Sequence, residues 1–241
     1  MKKIVFLCIL ILTLCSCSKD NNKLVLATEA SFAPYEYYSD GKITGIDIAI
    51  GEEIAKYLGK ELKVKDIAFD SIITEVKTGK SDIGAAGISY TEERTKQVQF
   101  TINYAESKQV IIVKQNSLIK TKEDLKNIKV AVQLGSVADG FVEENYPKVK
   151  LIREKKFLAA IQDLKDGKVD AVVMDELPAK KYLTSNLKIL EEELTTDYYG
   201  MVVNKNNKEL LEAANIVINK LRLEGKIDEY IMYYMERSQD N

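Results

Sequence analysis

The sequence predicts two similar α/β lobes, each a mostly parallel sheet with helices on its faces. Three observations carry that expectation. Apolar strands alternate with helical patterns in the order βαβαβ, and the order occurs twice. Each time, a helix closes at a Gly and turns into a strand. Gly79-Lys80-Ser81-Asp82 precedes Ile83 to Ala86, and Gly167-Lys168-Val169-Asp170 precedes Ala171 to Met174. Finally, two extended segments, Gln109 to Lys114 and Tyr198 to Val203, are placed to connect the lobes.

The elements follow in order. Lys23 to Ala27 reads as a buried strand. Ile46 to Leu58 carries apolar residues at helical spacing and ends at Gly59. Leu62 to Ile67 is a strand, Ser71 to Lys77 a short helix, and Ile83 to Ile88 a buried strand. In the second unit, Lys129 to Val132 is a strand and Val137 to Tyr146 a helix stopped before Pro147. Val149 to Arg153 is a strand, Leu158 to Lys165 a helix, and Ala171 to Met174 a buried strand. Counted from each Gly, position 87 in the first unit matches position 175 in the second. Open α/β sheets bind ligands at the carboxyl ends of their strands, so Gly87 and Asp175 mark the expected site. Two amphipathic helices, near Lys208 to Leu223 and Lys226 to Met235, are expected to return to the first lobe. The tyrosines at 230, 233 and 234 read as their packing stripe. The expected division is 24–104 with 204–241 for lobe 1, and 105–203 for lobe 2 with hinge segments at its ends.

The amino terminus indicates export. Met1-Lys2-Lys3 is a basic start, and Ile4 to Leu14 is apolar apart from Thr13. Cys15-Ser16-Cys17 and a polar stretch follow, the order of a secretory signal. The apolar run is shorter than the roughly 20 residues a membrane span needs. Residues 1–16 are expected to be a signal peptide, and 17–23 a linker. All three cysteines, Cys8, Cys15 and Cys17, lie in this segment, so the exported domain holds itself by its core rather than by disulfides. The chain has 35 Lys+Arg against 37 Asp+Glu, dispersed without blocks of one sign, which does not favour nucleic acid. With no His in the chain and no Cys left in the exported domain, the usual N/S zinc site and histidine-based nucleophilic catalysis are excluded. No metal or cofactor is expected. Arginine occurs only at 94, 153, 222 and 237. Each is of interest, because Lys does not reproduce the planar guanidinium fork.

Several motifs now converge. Thr28-Glu29-Ala30-Ser31-Phe32-Ala33-Pro34-Tyr35-Glu36 resembles the first-strand loop of the polar amino-acid solute-binding proteins, bacterial family 3. Gly45-Ile46-Asp47-Ile48 is similar to that family's glycine–aromatic–aspartate signature, with Ile46 where Phe is commonest and Ala49 in place of a usual second acid. Ala68-Phe69-Asp70-Ser71, Ala86-Gly87-Ile88-Ser89, Thr91-Glu92-Glu93-Arg94 and Tyr198-Tyr199-Gly200 also match. Leu14-Cys15-Ser16-Cys17 resembles a bacterial lipobox with Cys17 as the lipidated residue. The resemblance implies a type II periplasmic-binding-protein-like fold, two α/β lobes joined by crossover strands with the ligand in the cleft. It also implies a monomeric, non-enzymatic protein anchored outside the cytoplasm by acylated Cys17. Such a protein captures a free L-amino acid and delivers it to the permease of an ABC-type importer.

A free amino acid needs an anion clamp, a cation clamp and a side-chain pocket. Arg94 suits the α-carboxylate, since guanidinium binds carboxylate through two parallel hydrogen bonds; the alternative is a surface Arg beside Glu93. Backbone N–H groups after Gly135-Ser136, including that of Val137, offer a second anion site at a helix start. Asp175 suits the α-ammonium, or alternatively caps the following helix. The carbonyls of Ala86 and Gly87 are placed to share that cation. Asp47 and Ser89 belong to the same matching loops. Glu29, Phe32 and Phe69 are expected to shape the side-chain pocket, two rings around the ligand with an acid at the far end. Gln133 stands where glutamine-binding relatives often carry Lys, so it does not repel a cation. This set resembles the arginine and basic amino-acid binders more than the glutamine binders. A glutamine or other polar amino-acid ligand is the alternative, and a cyclohexadienyl-dehydratase-like enzyme on the same fold is a more distant one.

Overall fold

The structure, a computed structural model, describes residues 21–239. The expected signal peptide and Cys17 lie outside the described residues. Two sheets form the two lobes. The first has the order β5 (Glu61–Asp66), β1 (Lys23–Thr28), β6 (Ile83–Gly84), β14 (Val202–Val203) and β7 (Gln99–Phe100). β1 runs parallel to both neighbours, whereas β14 returns antiparallel. The second has the order β10 (Lys150–Glu154), β9 (Lys129–Gln133), β11 (Ala171–Asp175), β8 (Ala105–Lys114) and β12 (Leu187–Ile189), with β13 (Thr195–Tyr199) also on β8. A small antiparallel sheet of β2 (Ser31–Phe32), β3 (Glu36–Ser39) and β4 (Lys42–Thr44) sits beside the cleft. The crossover helices of the first lobe are α1 (Ile46–Tyr57) and α2 (Phe69–Lys77), followed by the single turn α3 (Glu92–Thr95). Those of the second are α4 (Val137–Asn145), α5 (Phe157–Asp166) and α6 (Glu176–Tyr182).

The internal echo has a structural cause. Gly79 and Gly167 both close a helix with φ near +70°, 73 and 75 respectively. Each following Asp then ties its strand to the neighbouring parallel strand of its sheet. Asp82 accepts from Val25 N at 2.8 Å, and Asp170 accepts from Lys129 N at 2.8 Å. Both strands are thereby held parallel, with their carboxyl ends facing the cleft.

The lobes differ in their cores. The second sheet's outer face is aliphatic, built on Ile111, Val113, Val130, Val132, Ala171 and Val173. The cluster beneath the cleft is aromatic-rich and spans both lobes, joining Phe32, Tyr35, Tyr104, Phe157 and Tyr199. α7 (Lys208–Leu223) and α8 (Lys226–Gln239) pack on α1 and so complete the first lobe. Tyr230 and Tyr234 contact that core, while Tyr233 is exposed.

The first connection is shifted from its expected place. Gln109 to Lys114 lies inside the second sheet, as the continuous strand β8. The chain crosses just before it. Thr101 N donates to Met201 O at 2.9 Å, and Tyr104 N donates to Tyr199 O at 2.9 Å, so the two crossings run side by side. The return crossing lies between β13, which ends at Tyr199, and β14, which pairs in the first sheet from Val202. The strand expected over Ile83 to Ile88 keeps ladder pairing only at Ile83 and Gly84, because the chain turns at Gly87.

Candidate functional site

The hinge end of the cleft is built from charges on both lobes. Thr91 caps α3, its hydroxyl accepting from Arg94 N at 3.1 Å, which aims the Arg94 side chain across the gap. Nη1 of Arg94 donates to Ser89 O at 2.6 Å, and Nη2 donates to Gly135 O of the other lobe at 2.9 Å. The guanidinium lies 5.5 Å from the ring centre of Phe69. Burial pulls the Arg94 pKa down from its ordinary value, against the upward pull of Asp197 and Asp175. Ser136 uses its hydroxyl to cap α4, accepting from Asp139 N at 3.2 Å. The start of α4, with Val137, faces Arg94 across a groove of about 610 Å³ that Phe69, Gly135 and Ser136 also line.

Asp175 ends β11, with no side-chain capping bond to α6. Instead it faces inward. Its Oδ1 accepts from Ser107 Oγ at 2.7 Å, from Gln109 Nε2 at 2.7 Å and from the Tyr199 hydroxyl. Gln109 Nε2 also donates to Asp197 Oδ2 at 3.0 Å. Two buried carboxyls therefore share one amide at the hinge. Dehydration raises the pKa of both, and Asp175 adds to the rise of Asp197, which reaches about 7. The pair has an unmet demand for positive charge, with Arg94 as the nearby cation.

Asp47 is fully buried below this layer, and its Oδ2 accepts from Gly87 N at 3.0 Å. It reaches the cleft through that N–H, which positions the Gly87 loop. Gly87 has φ of 53°, and a Cβ there would sit 2.5 Å from the Phe32 ring, so the turn requires glycine. The turn places Ala86, Gly87 and Ser89 along the cleft floor. Glu36 and Tyr104 lie against Asp47, each within hydrogen-bonding reach of its carboxyl. Burial pushes Asp47 up to about 6 and Glu36 well above the carboxylate range.

At the far end, Glu29 is 1% exposed, and both its oxygens accept from Ser31 Oγ at 2.8 Å. Gln133 Nε2 donates to it at 3.3 Å from the other lobe. The Lys156 ammonium, also from the other lobe, lies 3.3 Å away. Dehydration raises the Glu29 pKa more than Ser31 and Lys156 lower it. The two rings assigned to a ligand sandwich have other neighbours. Phe32 stacks on Phe157 at 5.3 Å and on Tyr35 at 5.7 Å, while Phe69 sits under Arg94. Phe32 thus belongs to an aromatic wall, and Phe69 forms a platform beneath the guanidinium.

The structure brings Arg94, Ser89, Asp175, Gly135 and Ser136 to one end, and Glu29, Phe32 and Gln133 to the other. Sequence reasoning missed Ser107, Gln109, Asp197, Lys156 and Phe157. Asp197 had a signal, since it immediately precedes the matching Tyr198-Tyr199-Gly200. Lys156 had none: it is the second residue of an ordinary Lys155-Lys156 pair.

Known proteins share this arrangement of lobes. The chain resembles an arginine-binding ABC transporter protein of Escherichia coli strain K12, 30% identical over 84% of this chain and 86% of that one. A probable histidine-binding protein of Campylobacter jejuni is 32% identical over 88% and 84%. A Streptococcus pneumoniae amino acid ABC transporter substrate-binding protein, solved with L-arginine bound, superposes with a TM-score of 0.87 at 34% identity, covering 91% of this chain and 97% of that one. The model of one family matches residues 24–237, and with it the two-lobed architecture described above: the chain belongs to the bacterial extracellular solute-binding proteins, family 3.

Proposed function

We propose that this protein captures a free basic L-amino acid, arginine foremost, outside the cytoplasm and delivers it to the permease of an ABC-type importer. The observation that carries this reading is the pairing of opposite charges at the hinge. Arg94 comes from one lobe, and Asp175 and Asp197 come from the other. An α-carboxylate on Arg94 and an α-ammonium by the acids bridge the lobes, so ligand and closure stabilise each other. Bidentate guanidinium–carboxylate geometry supplies orientation as well as energy. Glu29, nearly inaccessible at the far end, supports a cationic side chain, because an unpaired buried carboxylate is costly. The arginine- and histidine-binding relatives are consistent with this choice. The ion pair of Glu29 with Lys156 favours a second reading, a neutral polar ligand such as glutamine.

Thermal unfolding against the twenty amino acids, ornithine and citrulline tests the proposal. A ligand at 100 times its Kd stabilises by about 2.7 kcal/mol. Arginine is expected to give the largest shift, lysine and ornithine the next, and glutamine less. A neutral amino acid binding more tightly than arginine overturns the basic preference, and no shift with any amino acid overturns the binding reading. We further propose that the protein acts as a monomer tethered to the membrane by acylated Cys17. Mass spectrometry of membrane-extracted protein is expected to find acylated Cys17 as the first residue; an unmodified thiol there overturns the anchor.

A further inference from the structure

The Lys156 ammonium stands between two carboxylates, 3.3 Å from Glu29 and 3.7 Å from Asp66. Glu29 is 1% exposed at its side chain and Asp66 is 22% exposed, whereas the Lys156 side chain is 46% exposed. One flexible cation on the rim thus serves two acids of the opposite lobe. Asp66 is itself anchored, accepting from Ala30 N at 2.9 Å, which fixes it beside the Glu29 loop. Phe157, the next residue after Lys156, stacks on Phe32 and fixes the start of α5 against the pocket. Lys156 sits at the cap position of α5 without a side-chain capping bond, so its side chain is not needed to end that helix.

We infer that Lys156 is a specificity-determining residue, a built-in counter-ion that competes with the ligand's side-chain cation for Glu29 and retreats to Asp66 when that cation binds. The inference rests on the basic-ligand reading. Two carboxylates with one ammonium leave the far end one positive charge short, and a guanidinium supplies it. The long, half-exposed lysine stem permits the short movement, whereas Glu29 is held by Ser31. Lys156 also sets a threshold. A cationic side chain must displace one charge and then tolerate it nearby, while a neutral side chain meets a Glu29 that is already paired. The residue therefore narrows the preference for arginine over a neutral isostere that Glu29 alone would create.

The test is Lys156→Met, which keeps the stem and removes the charge, titrated calorimetrically with arginine and with citrulline, its neutral isostere. Arginine is expected to bind at least about tenfold more tightly than in the parent, from relief of like-charge proximity, with citrulline changed less than twofold. In a Glu29→Gln background the arginine gain is expected to fall below threefold, the coupling that a purely structural lysine would not show. If the parent binds arginine and Lys156→Met leaves that affinity equal or lower, the inference is overturned while the basic-ligand reading stands. If the parent does not bind arginine but Lys156→Met does, the basic reading falls, and with it the retreat of Lys156 to Asp66. If neither binds arginine, both fall.

Discussion

The two ends of the cleft solve the same problem, a buried charge, in opposite ways. At the hinge, Asp175 is fixed by three donors from three residues, Ser107, Gln109 and Tyr199, all on β8 and β13 of its own sheet. At the far end, Glu29 has one local donor, Ser31, and its remaining partners, Gln133 and Lys156, belong to the opposite lobe. The hinge acid keeps its hydrogen bonds whether or not the lobes part, and the far acid does not. Preorganised charge suits the part of the ligand common to all amino acids. Exchangeable charge suits the part that differs. On the proposed reading, closure and selectivity fall to separate residues of one cleft.

The sharpest way to break the comparison is to remove a hinge charge. Arg94→Ala and Asp175→Ala are each expected to weaken arginine and citrulline equally, by on the order of 2–5 kcal/mol, because each deletes one partner of a desolvated pair. Thr91 still caps α3 in the first variant, and the sheet hydrogen bonds of β11 do not involve the Asp175 side chain in the second, so the unliganded fold persists. Calorimetry with both ligands reads the result. A loss confined to arginine shows that the hinge recognises side chains, and near-unchanged affinity shows that the common clamp lies elsewhere.

Much of this division was legible in the sequence, for physical reasons that differ by residue. The βαβαβ repeat set the sheets, because period and Gly-terminated helices are local signals. Equivalence of positions 87 and 175 followed from the two Gly-to-strand turns, whose Asp82 and Asp170 prove to make the same backbone bond. The first crossing lies several residues before Gln109 to Lys114, since an extended apolar run such as Val110 to Val113 reads alike whether it links sheets or lies within one. The three-stranded sheet of Ser31 to Thr44 was missed because its strands are two to four residues long. Asp47 could be identified by its motif but not its depth; only the fold shows that it acts through Gly87 N. Lys156 and Asp197 meet their partners, Glu29 and Gln109, 127 and 88 positions away in the chain, and no periodicity carries that information.

The comparison is sharpened by pH, with a smaller effect. Asp197 is raised from 3.8 to about 7 by dehydration and by Asp175, so near neutrality the hinge pair holds a proton that the unfolded chain has released. A raised acid contributes stability that is complete below the unfolded value and is lost as pH rises through the folded one. Without ligand, this pair therefore favours the fold more at pH 5 than at pH 8. Ligand binding has the opposite sign, since an α-ammonium prefers ionised acids and must expel that proton. Affinity is expected to fall by roughly tenfold per pH unit once the pH drops below about 7, one proton being taken up in place of the ligand. The fall should be the same for arginine and citrulline, because both carry the α-ammonium. Asp197→Asn is expected to flatten the profile between pH 5 and 7 while preserving the Gln109 contact in kind. Calorimetry in buffers of different ionisation enthalpy counts the released proton directly. A profile that is steep for arginine and flat for citrulline would place the titrating group at Glu29 instead, and the hinge would then be the end whose charge state is fixed.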